Sequence, residues 1–244
     1  MQKIAVVTGA SSGIGAATTR RLTLDGYHVY ALARRKDRLE ELGVGTPVVC
    51  DVTNDEEVST FVHTLKYVDL LVNNAGGARG AETVAQARID DWQWMFDVNV
   101  LGTVRMTKAL VPLMSRGGTV ITISSTAGLG VYEGGGGYAA AKHAQTALVE
   151  TLRLELNGQP IRVIEIDPGM VRTEEFALNR FAGDADRAAA VYKGVREPLV
   201  AEDIAECVSW CAGLPHHVNI DRLVVRPLAQ AAQHKVHREP EATG

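Results

Sequence analysis

The sequence has 244 residues, 46% of them hydrophobic and 22% charged, the balance of an ordinary globular chain with enough apolar surface for a core, which excludes disorder as a description of the whole. Its 25 basic and 29 acidic residues leave a formal charge of -4, so no broad cationic field exists to hold nucleic acid or an anionic membrane, and neither is expected as a partner. The length suits one α/β domain spanning 1-244. No apolar stretch reaches the roughly 18 residues that cross a bilayer, and the N-terminus lacks a secretory leader, so a cytoplasmic protein is expected.

Seven short, mostly β-branched runs, at 4-7, 29-32, 47-50, 68-72, 119-123, 161-166 and 223-225, read as buried strands. Helical periodicity over 13-25, 35-42, 54-66, 88-115, 138-157 and 201-213 alternates with them. Such alternation predicts an α/β fold: a doubly wound parallel sheet of Rossmann type, about seven strands in the order 3-2-1-4-5-6-7. An eight-stranded barrel has the right length but needs an eighth strand and leaves the glycine cluster below unexplained. Residues 174-198 are an insertion-like element, a mobile cover over a site or an ordinary surface excursion. A polar tail begins at about 228, and its last few residues are expected to be disordered. Cys50, Cys207 and Cys211 and the seven histidines follow no metal-ligating spacing, so no metal is expected.

Glycine is abundant, with 24 in the chain against a usual share of about 7%. The informative cluster follows the first strand, where Gly9, Ser11, Ser12, Gly13, Ile14 and Gly15 stand between strand and helix. A tight turn, close approach of backbone to a pyrophosphate and close helix packing all require missing side chains there, and the helix N-terminus then faces the phosphates. This predicts a dinucleotide site. About 20 residues on, a carboxylate would accept the ribose 2'-hydroxyl of NAD. The second strand instead runs into Arg34, Arg35 and Lys36 before Asp37. Guanidinium groups suit a 2'-phosphate, so the expected cofactor is NADP(H).

Thr8-Gly9 with Gly13 and Gly15, Asn73-Asn74-Ala75-Gly76, Asn99, Ser125, Tyr138 with Lys142, and Pro168-Gly169 occur in order along the chain. Together they resemble the short single-domain branch of the short-chain dehydrogenases/reductases over about residues 3 to 226. Tyr138 and Lys142 are four apart on one helix and share a face, so an ammonium can sit beside the phenol and lower a pKa that starts near 10. Tyr138 then serves as general acid in carbonyl reduction and as base in alcohol oxidation. Ser125 ends the fifth strand, where ligands bind in open α/β sheets, and can bond the substrate oxygen. The resemblance further implies that Lys142 holds the nicotinamide ribose and that Asn99 supports a water linking Lys142 to solvent. It also places Asp51 and Val52 against the adenine, Asn73, Ala75 and Gly76 along the ribose, and Pro168 to Thr173, with Gly169 and Val171, at the nicotinamide amide. Gly134 to Gly137 depart from the family's mixed residues; they leave room for substrate or permit motion.

The ending from His217 to Pro227 with its His237-Arg238 tail, the stretch from Pro168 to Phe176, and Arg180-Phe181 resemble the NADP-dependent 3-hydroxy acid (serine-type) dehydrogenases. A carboxylate substrate needs a cation, and Arg180 in the cover segment is the candidate. Ala33, Arg172 and the four glycines depart from that subgroup. The expected activity is hydride transfer between NADP(H) and an alcohol/carbonyl pair, with a small 3-hydroxy acid as substrate. A carbonyl reductase for bulkier ketones and a non-catalytic NADP-sensing regulator are the alternatives, the complete set Asn99, Ser125, Tyr138 and Lys142 speaking against the regulator. In relatives the helices matching 88-115 and 138-157 pair between subunits, so a homodimer or homotetramer is expected.

Overall fold

The computed structural model describes residues 2-240. Its central sheet takes strands β1 (Ile4–Thr8), β2 (His28–Ala33), β3 (Thr46–Val49), β4 (Leu70–Asn73), β5 (Gly118–Ile123), β6 (Ile161–Pro168) and β9 (Arg222–Val225). All pair in parallel, in the order β3-β2-β1-β4-β5-β6-β9. The predicted order holds, with the seventh sheet strand ninth in the chain. The extra two, β7 (Val171–Arg172) and β8 (Leu199–Val200), form a separate parallel pair that brackets the segment between them.

Strands of a sheet covered on both faces are apolar at every position rather than at alternate ones. Val6 and Val7 are adjacent and both fully buried, yet they enter different cores. Val7, Ile121 and Ile164 meet Leu22 of α1 (Gly13–Leu24) and Ile204 and Val208 of α9 (Ala201–Gly213). Val6, Leu71 and Val120 meet Phe61 of α3 (Asp55–Val62) and Met106 and Leu110 of α5 (Gly102–Leu110). The short helix α2 (Lys36–Glu41) closes the β2 to β3 connection.

The stretch 88-115, read as one helix, is four pieces: α4 (Ile89–Phe96), a π-helical turn at Asp97–Leu101, α5, and a 3-10 turn at Val111–Leu113. A π turn adds a residue and rotates the side chains beyond it, a distortion common at functional sites; here Asn99 is turned fully inward. Helix α6 (Gly136–Glu155) begins two residues before the expected start, on two of the four consecutive glycines. Residues 174-198 contain α7 (Phe176–Arg180) and α8 (Ala185–Tyr192).

The polar tail is folded over its described length. Strands β10 (Gln230–Ala232) and β11 (Lys235–Val236) form a hairpin, the buried Gln230 accepts from the Met170 N–H at 2.8 Å, and Thr126 donates to Gln233 at 2.6 Å. Arg238 donates to the carbonyls of Val191 and Lys193. The expectation of disorder at the very end falls on residues 241-244, outside those described.

Candidate active site

The carboxyl ends of β1, β4, β5 and β6 meet at one edge. Gly9 (φ +66°) and Gly13 (φ +50°) occupy the left-handed region, and a Cβ on Gly15 would stand 2.6 Å from the Asn74 side-chain nitrogen. Those three positions are therefore closed to any side chain. Thr8 fastens it: its hydroxyl accepts from the N–H groups of Asn74 and Ala75, 2.9 Å each, and the Asn74 amide donates to the Thr8 carbonyl at 2.9 Å. Helix α1 starts after Ser12 with no side-chain cap bond and no acid in its first turn, leaving its terminal N–H groups and positive dipole end open to an anion. Thr173 closes the far side, its methyl 3.2 Å from where a Gly13 Cβ would lie.

The two arginines separate. Arg35 reaches over the turn to Ser11 (3.0 Å) and Ser12 (3.3 Å) and makes a two-bond pair with Glu175 at 2.9 and 2.7 Å. That hydrogen-bonded guanidinium holds the Glu175 carboxyl below its usual range. Arg34 is largely exposed and stands 3.9 Å from Asp51. Asp51 shapes the exit of β3 by accepting from the Thr53 N–H and hydroxyl at 2.9 and 2.8 Å. Val52 and Asn73 turn their side chains into the core, Val52 against Gly102 and Asn73 donating to Thr107 at 3.0 Å. Gly76 passes so close to Asn99 that a Cβ would lie 2.5 Å from its Oδ1. Gly169 donates to the Val225 carbonyl at 2.7 Å and lies against Arg226 and Gln230, with Pro168 before it and Val171 in β7 after it.

Ser125, Tyr138, Lys142 and Asn99 converge beside this cradle. Ser125 caps a short turn by accepting from the Ala127 N–H at 3.1 Å, while its own N–H donates to Asp167 at 3.2 Å. Its hydroxyl also hydrogen-bonds the Tyr138 phenol. Tyr138 packs edge-on against Phe176, ring centroids 5.7 Å apart. Burial raises the phenol pKa above the usual tyrosine value, with hydrogen bonding to Ser125 and the Arg180 charge pulling the other way.

Lys142 lies 5.7 Å from the centroid of the Tyr138 ring and is almost fully buried. Its ammonium donates to the Ile123 carbonyl at 3.1 Å and to Gln145 Oε1 at 2.8 Å. Burial lowers its pKa to about 8 against the pull of Asp167 and Glu165. Asp167 is itself pushed up to about 7, chiefly by burial and next by Glu165, with Arg222 opposing. The Asn99 amide donates to the Met95 carbonyl at 2.7 Å and to the Gly77 carbonyl at 2.9 Å. These bonds tie the π turn to the loop after β4.

Arg180 is drawn into the same cleft, donating to the Gly80 carbonyl (3.0 Å), the Tyr132 hydroxyl (2.9 Å) and the Gly134 carbonyl (3.0 Å). The glycine run before Tyr138 gives no spare room. A Cβ on Gly135 would stand 2.6 Å from two Tyr132 ring atoms, and one on Gly137 would stand 3.0 Å from the Trp92 ring. The glycines let this loop press against aromatic rings. Gln145, Glu175, Asp167 and Tyr132 also belong to this centre. The only sequence sign for any of them is a polar Gln145 seven residues beyond Tyr138, on a helix face whose other members are buried.

The arrangement provides a half-buried phenol, a hydroxyl beside it, an ammonium behind it and an anion cradle in front. The family model described as short chain dehydrogenase matches residues 3–180. An uncharacterized oxidoreductase of Mycobacterium tuberculosis is 52% identical over 236 residues, 95% of this chain and 93% of its own. An NADP-dependent 3-hydroxy acid dehydrogenase of Escherichia coli is 39% identical over 97% of this chain and all of its own. Among solved structures, a closed serine dehydrogenase complexed with NADP+ superposes with a TM-score of 0.90 at 39% identity, covering 97% of this chain and 100% of that one. The chain belongs to the short-chain dehydrogenase family.

Proposed function

We propose that the protein transfers a hydride between NADP(H) and the alcohol/carbonyl pair of a small 3-hydroxy acid. The cradle fits the cofactor: Gly9, Gly13 and Gly15 admit no side chain against the turn, the α1 N-terminus is uncapped, and Arg35 is the cation over Ser11 and Ser12. Arg34, Arg35, Asp51 and the backbone from Asn73 to Gly76 would hold its adenosine half, and Pro168 to Thr173 with Lys142 its nicotinamide half. Bound NADPH supplies the hydride that reaches the carbonyl carbon.

In reduction the Tyr138 hydroxyl protonates the carbonyl oxygen, and in oxidation the phenolate takes that proton back. Ser125 donates to the same oxygen and orients it. Lys142 keeps a positive charge behind the phenol and favours its ionised form. The single observation that supports an acid substrate is Arg180. Its three bonds to Gly80, Tyr132 and Gly134 leave two of its five N–H groups for a carboxylate in the cleft that Tyr138 lines. Residues 174-198 act as a cover in this reading, since they carry both Arg180 and the Glu175 partner of Arg35. The whole chain works as one domain, cytoplasmic and paired with copies of itself through α4 to α6. Among the described residues no helix is long and apolar enough to cross a membrane.

The test is NADP and NADPH turnover with serine, 3-hydroxypropionate, 3-hydroxyisobutyrate and a set of neutral aromatic ketones. Preference for the acids in wild type, with KM for the acids raised about tenfold or more in Arg180→Ala, supports the reading; one charge-assisted bond pair is worth that much. Turnover confined to neutral ketones refutes it.

A further inference from the structure

Lys142 is the cation behind the phenol, and something must fix it there. Its nearest polar partner is the amide of Gln145, one turn further along the same face of α6. Gln145 is 1% exposed and its hydrogen-bonding capacity towards the protein is committed. Oε1 accepts from the Lys142 ammonium at 2.8 Å, and Nε2 donates to the Asn99 carbonyl at 2.8 Å and to the Thr103 hydroxyl at 2.9 Å. The Thr103 hydroxyl spends its own hydrogen on that Asn99 carbonyl at 2.8 Å, so towards Gln145 it can only accept. This settles which end of the amide faces which neighbour: the NH₂ faces two acceptors and the oxygen faces the ammonium. The Asn99 carbonyl in turn receives two side-chain donors, which occupy both of its lone pairs.

We propose that Gln145 is a positioning residue for the proposed reaction, its side-chain amide joining the Lys142 ammonium directly to the Asn99 carbonyl in the place where the family resemblance implies a water. It rests on the reading of Tyr138 and Lys142 given above and assigns the lysine's orientation to a residue outside that set. An amide accepts a hydrogen bond from an ammonium but does not pass its proton on, so no proton leaves Lys142 through Gln145. The other groups facing the ammonium are the Ile123 carbonyl of β5, the Tyr138 ring of α6, and the Asp167 and Glu165 carboxylates of β6, which are paired with Arg222 of β9. Gln145 is a neutral acceptor in this ring, as is the Ile123 carbonyl. It favours the charged lysine without adding a third carboxylate.

The test is the pH profile of kcat/KM for carbonyl reduction in wild type, Gln145→Met and Gln145→Glu, with Tyr138→Phe and Lys142→Ala as controls. Loss of the acceptor in Gln145→Met moves the alkaline limb down by about one pH unit, and a carboxylate beside the ammonium in Gln145→Glu moves it up by about one to three. Opposite shifts in folded variants support the proposal; an unmoved limb in both overturns it. If neither variant folds, the side-chain NH₂ resonances of Gln145 in wild-type protein decide. They should titrate with the pKa of the limb, and resonances that ignore it overturn the proposal. Near-normal turnover by Tyr138→Phe or Lys142→Ala would instead refute the catalytic reading itself, separately from the role of Gln145.

Discussion

Replacing Gly135 by alanine tests whether the glycine run exists for packing or for room. The new Cβ would stand 2.6 Å from both Cε carbons of the Tyr132 ring and nearer still to its Cζ, where ordinary contact begins at 3.4 Å, so the ring must retreat by about 1 Å. Forcing one methyl into a packed site costs about 1–3 kcal/mol. For a chain of this length that lowers Tm by roughly 2–4 °C per kcal/mol. The retreat also stretches the 2.9 Å bond from Arg180 to the Tyr132 hydroxyl beyond hydrogen-bonding distance. Tyr132 and Arg180 are only partly buried, so the lower end of the range for a charged hydrogen bond applies, about 1.5 kcal/mol or a tenfold effect. Thermal melts and steady-state kinetics on a 3-hydroxy acid should show a lower Tm together with KM raised about tenfold. Gly213→Ala, with open space around its Cβ in α9, is the control: it should leave KM unchanged and should not lower Tm. Reduced activity at an unchanged Tm would refute the packing argument and mean that the run makes room for substrate.

Arg35→Ala removes the cation over Ser11 and Ser12 and should lower kcat/KM with NADPH about 10- to 100-fold while sparing NADH, the worth of one charge-assisted contact to phosphate; parallel assays with the two cofactors check it, and equal losses count against a 2'-phosphate contact. Asp167 has a folded pKa of about 7, above the ordinary 3.8. The native protein therefore holds a proton that the unfolded chain releases between these values, and stability present below pH 4 is lost as pH rises through 7. Asp167→Asn should abolish that decline, its advantage over wild type growing by up to about 1.4 kcal/mol per pH unit. Urea midpoints from pH 4 to 8 measure it, and parallel curves would show that Asp167 does not titrate there.

Local arithmetic carries far in this chain. The strand runs, the glycine turn and the four-residue step from Tyr138 to Lys142 are set by neighbours in sequence, through β-branched continuity, the φ values of Gly9 and Gly13, and helical period. The sheet order is legible as well, because right-handed crossovers allow few arrangements. Periodicity did not show the break at Asp97–Leu101, because a π turn leaves the apolar pattern helical while rotating the residues beyond it. The expected lowering of the Tyr138 pKa by its neighbour is a helical-wheel result, whereas the folded ammonium is drawn towards Ile123 and Gln145 and burial raises the phenol.

The order of residues alone dictates a parallel sheet, a dinucleotide turn at its edge and a tyrosine and lysine on one helix face. Their partners are chosen by the folded chain. Arg35 meets Glu175 across 140 positions, Arg180 meets Gly80 across 100, and Gln145 meets the Asn99 carbonyl across 46. Each pairing depends on which strand ends the sheet brings side by side, and that of Arg180 also on glycines that let the loop before Tyr138 press against aromatic rings. A residue's type sets which hydrogen bonds it can make; only packing of distant segments sets which of them it does make.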